Sequence, residues 1–290
     1  MKPKIVLIGP GRLGQAVTSL LAEAGYPVVA VISRDPARAV AAARFVGHRA
    51  AGTCDLSRTK EGDLVLLALP DDFLADAALL LRRNGWLAPN AVVVHFSGRH
   101  PAAILNQGEA PRVRALSLHP LQTFADSVTG LRNLPGTPFS VEGEEALIPL
   151  GETLVDALRG KPFRIDSARK PLYHAAACVA SNYLITLAAT AAEIMAASGI
   201  PEDEALTMLL PLLKGTSRNL STLGPEQALT GPIARGDVQT VASHLDAMAE
   251  LPNELREIYR VMGRKTVGLA RQKGTLGEQQ AEAILELLKS

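Results

Sequence analysis

From Lys4 to about Asp166, short runs of branched and apolar residues alternate with longer stretches in which apolar positions return at helical spacing. The runs at 5–8, 28–32, 64–69, 91–95, 113–118, 138–141 and 162–165 predict strands, and the stretches 13–24, 36–45, 71–83 and 144–158 predict the helices between them. Strands that alternate with helices in this way pair in parallel, each helix crossing the sheet to begin the next strand. Beyond Asp166 the pattern changes. Apolar residues keep helical spacing to the end, predicting helices over 170–198, 201–223, 238–249, 253–272 and 277–288 and no further strand. Gly199-Ile200-Pro201 reads as a helix stop followed by a restart. The expectation is an α/β chain in two parts, a parallel-sheet domain over 1–166 and an all-α domain over 167–290.

The first strand runs directly into Gly9-Pro10-Gly11-Arg12-Leu13-Gly14, where the first helix starts. Glycines at this spacing permit a tight turn, let backbone amides approach a phosphate and allow close packing of helix on strand, while the helix start offers unpaired amides and a positive dipole end. The spacing predicts the phosphate-binding turn of a Rossmann-type domain, with Gly9, Gly11, Arg12, Leu13 and Gly14 as its cofactor-binding residues, the plainer reading being a tight turn alone. The second strand ends at Ser33, about twenty residues further on, where such domains read the ribose. A carboxylate there favours NAD and repels a 2′-phosphate; this chain has Ser33-Arg34, with Arg38 at the start of the next helix. A hydroxyl and two guanidinium forks suit a phosphate, so NADP is the expected cofactor and NAD the alternative. Two solvated loop arginines are the plainer reading. Two further turns at strand ends, Leu69-Pro70 and Ser97-Gly98, are candidates for the nicotinamide side, though each also serves as ordinary helix-start or turn chemistry.

Composition removes several classes. A net charge of +1 and 4% aromatic residues argue against a nucleic-acid partner. Cys54 and Cys178 have no metal-like spacing, so no metal site is expected, and two isolated thiols fit a reducing cytoplasm. The apolar run at 5–8 is too short for the core of an export signal. The long apolar stretch 175–192 is interrupted by Ser181, Asn182 and threonines, which favours a buried helix over a membrane span.

On the substrate side, His119 opens His119-Pro120-Leu121-Gln122-Thr123-Phe124 at the end of a strand, where a histidine can exchange a proton during hydride transfer or simply fix the Pro120 turn. His174, Cys178, Ser181 and Asn182 fall within about one hundred degrees of arc on one helix, a polar stripe that faces either a cleft or a neighbouring helix. The segment Gly231-Pro232-Ile233-Ala234-Arg235-Gly236-Asp237 either binds an anionic group or makes a sharp corner closed by an Arg235–Asp237 ion pair. Gln122, Ser181, Gly231, Pro232, Arg235 and Asp237 are the candidate substrate-binding residues; His119, His174 and Asn182 are the candidate catalytic ones.

At the glycine turn, Ser97-Gly98, 119–124, Tyr173-His174, Ser181-Asn182 and 230–237, the chain resembles a family of Rossmann-like proteins with a C-terminal domain of unknown function, number 2520. More distantly it is similar to pyrroline-5-carboxylate reductases, coenzyme F420-dependent NADP reductases and the 6-phosphogluconate and 3-hydroxyisobutyrate dehydrogenase group. The resemblance implies a nicotinamide cofactor at an interdomain cleft, a small polar substrate such as an oxo acid or imine, and a homodimer through the helical domains. The hydroxyacid dehydrogenases carry a catalytic lysine four residues before an asparagine; here Asn182 stands at the asparagine's place and Cys178 at the lysine's. A thiol does not donate a proton as an ammonium does. The expected function is therefore an NADP-dependent oxidoreductase drawing its proton from His119 or His174, and the alternative is a catalytically silent NADP-binding or sensing protein.

Overall fold

A computed structural model describes residues 1–47 and 50–289. The first half is built on eight strands, β1 (Ile5–Ile8), β2 (Val28–Ile32), β3 (Ala51–Thr53), β4 (Leu64–Leu67), β5 (Val92–His95), β6 (Arg114–Pro120), β7 (Pro138–Gly143) and β8 (Lys161–Arg164). Its helices are α1 (Arg12–Glu23), α2 (Pro36–Val46), α3 (Leu74–Arg83), α4 (Ser127–Asn133), α5 (Ile148–Ala157) and α6 (Lys170–Ala180). The strands lie in the order β3-β2-β1-β4-β5-β6-β7-β8. From β1 the strands are added first toward β3 on one side and then from β4 onward on the other, β1 and β4 being parallel neighbours, and the 9–14 turn leaves the carboxyl end of β1 at that switch point, where open sheets of this kind bind ligands.

Alternation along the strands feeds two cores. Ile5, Leu7, Leu64, Leu66, Val92, Val94, Leu116 and Leu118 pack under α1, α2 and α5, while Val6, Ile8, Val65, Leu67, Val93 and Ala115 pack under α3. Both faces of the central strands are buried, which is why they read as continuous apolar runs.

The sheet departs from the expected all-parallel pattern at one place. β7 runs antiparallel to β6, with His119 opposite Ser140, and β8 then pairs parallel with β7. The connection between β6 and β7 carries only the short α4, capped by Asp126 on the amide of Thr129, and brings the chain back beside the strand it left. β3 and α4 are additions to the expected elements. β3 has three residues and no large apolar side chain, and its Gly52 sits where a Cβ would strike the backbone of Ala39 at 2.6 Å, so packing against α2 rather than periodicity defines it.

The second half contains α7 (Asn182–Ala196), α8 (Glu202–Ala228), α9 (Pro232–Arg235), α10 (Val238–Ala247), α11 (Asn253–Lys273) and α12 (Glu278–Leu287). Its core gathers Ile233, Val241, Val267, Ala270, Ile284 and Leu288. No strand occurs there among the described residues. Gly224, at φ 76°, breaks α8 where the apolar period ends. The chain divides into compact units at Met1–Ser181 and Asn182–Ser290, so α6 belongs with the sheet.

Two sequence expectations change here. The helix expected over 170–198 is two helices, interrupted at Ser181 (φ −116°, ψ −69°), so the polar stripe from His174 to Asn182 is not one continuous face. The apolar stretch is also not buried: the run Ser167–Ala196 contains an 18-residue window whose length and mean hydropathy of 1.5 would suffice to cross a membrane, and only 11% of that window is buried.

Candidate functional site

The glycine turn has the stereochemistry its sequence requires. Gly9 adopts φ 82°, and a Cβ there would lie 2.6 Å from the Ala68 carbonyl oxygen and from Leu69 Cδ2. A Cβ on Gly14 would meet the Gly9 oxygen at 2.8 Å and Ala68 Cβ at 2.7 Å, so this glycine lets α1 press against β4's end. Around Gly11 there is open space, and Gly11 is the N-cap of α1 with no side chain satisfying the helix's first amides. No acidic residue stands in that first turn, and Arg12 is exposed. An uncapped helix start with an open approach over a glycine is a receptor for an anion, and the pyrophosphate of a dinucleotide fits it.

At the carboxyl end of β2, Ser33 Oγ accepts the amide of Asp35, and Asp35 caps α2 by accepting from the amides of Ala37 and Arg38 at 2.9 and 3.3 Å. The nearest carboxylate is thereby committed to the helix start. Arg34 and Arg38 are both exposed and make no ion pair among the described residues.

A second cluster forms where α6 lies over the ends of β5 and β6. Lys170, Tyr173 and His174 occupy one face of α6, spaced three and four residues apart. Ser117 and His119 share one face of β6. Tyr173 and His119 are joined by a 2.8 Å hydrogen bond between the phenol oxygen and Nδ1, and their rings meet edge-on. The His119 and His174 rings are 5.9 Å apart, and both close over Gly98: a Cβ there would lie 2.8 Å from His119 Nε2 and 2.5 Å from His174 Cδ2. Cys178 Sγ lies 3.8 Å from His174 Nδ1.

Lys170, which sequence reading treated only as the start of a helix, is the unexpected member. Its side chain is fully buried (0% exposed), and Nζ donates to the Ser97 carbonyl at 3.1 Å and to Ser117 Oγ at 2.9 Å. Burial lowers its pKa to about 8, against the attraction of Glu142 and Asp71. His119 is lowered to about 4, first by burial and then by the Lys170 and His174 charges, so its imidazole is neutral near pH 7. Glu142, also buried, accepts from Ser167 Oγ at 2.6 Å and from the amide of Ala102 at 2.7 Å. The signal for Lys170 lay in its position: a lysine opening an apolar helix whose next turn carries Tyr173 and His174.

Several candidates are occupied by local structure. His95 accepts the amide of Ser97 at Nδ1 and reaches the Pro101 carbonyl from Nε2, and burial holds its pKa near about 3. Ser97 Oγ accepts the amides of Arg99 and His100, a turn closure, while its carbonyl takes the Lys170 bond. Gln122 bonds to Asn133 O, Thr137 Oγ1 and the amide of Thr123. Pro70 opens a short helical turn whose Asp71 approaches Arg99 at 3.8 Å.

In the second unit, Gly231 (φ 101°) and Pro232 begin α9, and Asp237 caps α10 on Thr240, accepting from its amide and its hydroxyl. Those bonds to Thr240 hold its carboxyl below the usual range, and no Arg235–Asp237 ion pair forms. Asn182 begins α7, its carbonyl accepting the Thr186 hydroxyl, and Ser181 is the break before it. No group of three potential ligands able to hold a metal occurs among the described residues.

Comparison with known proteins agrees with this layout. Residues 4–93 match the family described as NADP oxidoreductase, coenzyme F420-dependent, and residues 137–266 match the domain of unknown function DUF2520. A Bacteroides fragilis protein provisionally named an NADP oxidoreductase is 27% identical, with a TM-score of 0.69 over 94% of this chain and 98% of that one. A Thermotoga maritima protein is also 27% identical, with a TM-score of 0.71 over 93% and 97%. A pyrroline-5-carboxylate reductase from Coxiella burnetii, 16% identical, shares the fold with a TM-score of 0.57 over all of both chains. No curated protein matches the sequence at a significant level. The chain joins a Rossmann domain of the NADP-oxidoreductase type to a DUF2520 C-terminal domain.

Proposed function

We propose that this protein is an NADP-dependent oxidoreductase acting on a small polar carbonyl or imine compound. The observation that carries the reading is the uncapped, acid-free start of α1 over Gly11, together with Arg34 just beyond β2 and Arg38 in the first turn of α2, both exposed and neither in an ion pair among the described residues. Amides of Arg12, Leu13 and Gly14 would hold the pyrophosphate, and Arg34 and Arg38 the 2′-phosphate, with Ser33 beside them. Leu69 and Pro70, at the end of β4, would line the approach to the nicotinamide-side ribose. When bound, the cofactor supplies or takes a hydride.

The chain's own part is positioning and proton control. His119, neutral and held by the Tyr173 hydroxyl, can donate a hydrogen bond from one ring nitrogen to a developing oxyanion without first carrying a full charge. Lys170 fixes the Ser97 carbonyl and Ser117 beneath it, and its charge adds to the burial that keeps His119 from protonating. With Cys178 beside His174 in place of a lysine, the proton supply passes to the His119–Tyr173–His174 group. Roles for Asn182, Ser181 and Arg235 in orienting the substrate, and a homodimer through the helical half, rest on the family resemblance and on the exposed apolar faces of α7 and α8.

The test is turnover. With NADPH and a panel of oxo acids and cyclic imines, the protein should consume cofactor with at least one class, and His119→Ala should reduce kcat by roughly a hundredfold or more while leaving cofactor affinity unchanged. Tight NADPH binding with no turnover on any member of a broad panel would contradict the enzymatic reading and support a sensor.

A further inference from the structure

Away from the glycine turn, a group of arginines gathers at the amino-terminal ends of the interior strands β5 and β6. The residues leading into β5 and β6 and the last turn of α3 border a half-open cavity of about 310 Å³, lined by Arg82, Arg112 and Arg114 together with apolar groups such as Leu87, Pro89 and Val113. No carboxylate lines it, and among the described residues none pairs with these three arginines. Arg82 is 4% exposed. One nitrogen donates to the Gln107 carbonyl, while Nε and Nη1 are shielded from solvent and have no hydrogen-bond partner. Arg114 reaches the Asn90 carbonyl at 3.2 Å, and Arg112 is exposed at the rim.

A buried guanidinium with two unmet donors and two more cations around it is an uncompensated charge, and its natural complement is an oxyanion. Burial and the Arg112 and Arg83 charges both push Arg82 toward losing its proton, the direction a bound anion would reverse. The apolar lining adds a preference for a ligand that carries carbon as well as charge.

We infer that this cavity binds an organic anion, an oxyanion head set against Arg82, Arg112 and Arg114 with a small apolar body against Leu87 and Val113. Because it opens at the amino-terminal ends of β5 and β6, it is separate from the cofactor turn, which lies at the carboxyl end of β1 in the same parallel run of strands. A ligand there would leave the dinucleotide site free.

Isothermal titration of the full chain with phenyl phosphate, benzoate and inorganic phosphate tests this. Phenyl phosphate or benzoate should bind, the tighter of the two identifying the head group as phosphate or carboxylate. Arg112→Ala, a change at the exposed rim, should weaken that binding at least tenfold, whereas Arg34→Ala should leave it unchanged. Arg82→Met should abolish binding with no loss of thermal midpoint, since it removes an unpaired buried charge. Absence of binding by either organic probe, binding that survives Arg112→Ala, or loss of binding in Arg34→Ala would overturn the proposal. Inorganic phosphate binding as tightly as phenyl phosphate would overturn the role given to the apolar lining.

Discussion

Lys170 makes its two hydrogen bonds, to Ser97 and Ser117, at the base of the histidine cluster, and its charge contributes to the low pKa of His119. Replacing it with methionine removes that repulsion. In Lys170→Met, the His119 pKa followed by NMR should rise above about 4 but stay below its ordinary 6.5, since burial is the larger cause of the lowering, while a structural role alone would change the thermal midpoint and leave the titration where it was. The same shifts fix the sign of the pH dependence of stability. His119 and His95 bind protons more weakly folded than unfolded, so their contribution is complete above pH 6.5 and is lost as pH falls through about 4 and about 3. Denaturant midpoints measured from pH 7 down to pH 4 should therefore decline, with a shallower decline in His119→Phe. His119 was legible in the sequence because it ends a strand before a proline. Lys170 was not, because a lysine at a helix start ordinarily reaches solvent, and only the packing of α6 on β5 and β6 turns it inward.

Element-scale features followed from pattern where burial was two-sided or the capping chemistry was local. The strands β1, β2, β4 and β5 are short apolar runs with both faces covered, and their positions follow from composition and punctuation. The antiparallel return of β7 did not, since an antiparallel edge strand differs from a parallel one in its connection rather than in its residues. The break at Ser181 was hidden for a related reason. Serine and asparagine are tolerated within helices, so nothing in 170–198 compels a stop. Asp35 shows how local capping bears on function: it satisfies the start of α2 and is thereby withheld from the ribose. Asp35→Ala should lower stability by about 1 kcal/mol, the typical value of an N-cap, as read by urea denaturation. The same change should leave NADPH affinity equal or improved, because it removes a negative charge near the expected phosphate.

For the whole molecule, the exposed apolar residues of the helical half are more than a monomer needs. Ile185 is 71% exposed, Leu212 65% and Tyr183 62%, on helices otherwise of ordinary composition. Exposed apolar side chains in this number are normally covered, and a second copy of the chain is the occupant that the family resemblance implies. Light scattering should give a dimer mass for the native protein and a monomer mass for Ile185→Glu combined with Leu212→Glu; a native monomer would contradict the assembly. The 175–192 stretch reads as core in the sequence because composition records how apolar a helix is and not whether the fold covers it.

Under the proposed function, the glycine turn and the arginines beyond β2 together select a phosphorylated dinucleotide. The most direct measurement is a side-by-side fluorescence titration with NADPH and NADH of the native protein and Arg34→Ala. NADPH should bind the native protein more tightly, and the substitution should weaken NADPH by roughly ten- to a hundredfold while changing NADH little. Equal loss for both cofactors would contradict the NADP assignment, and absence of binding by either would contradict the account of the site itself.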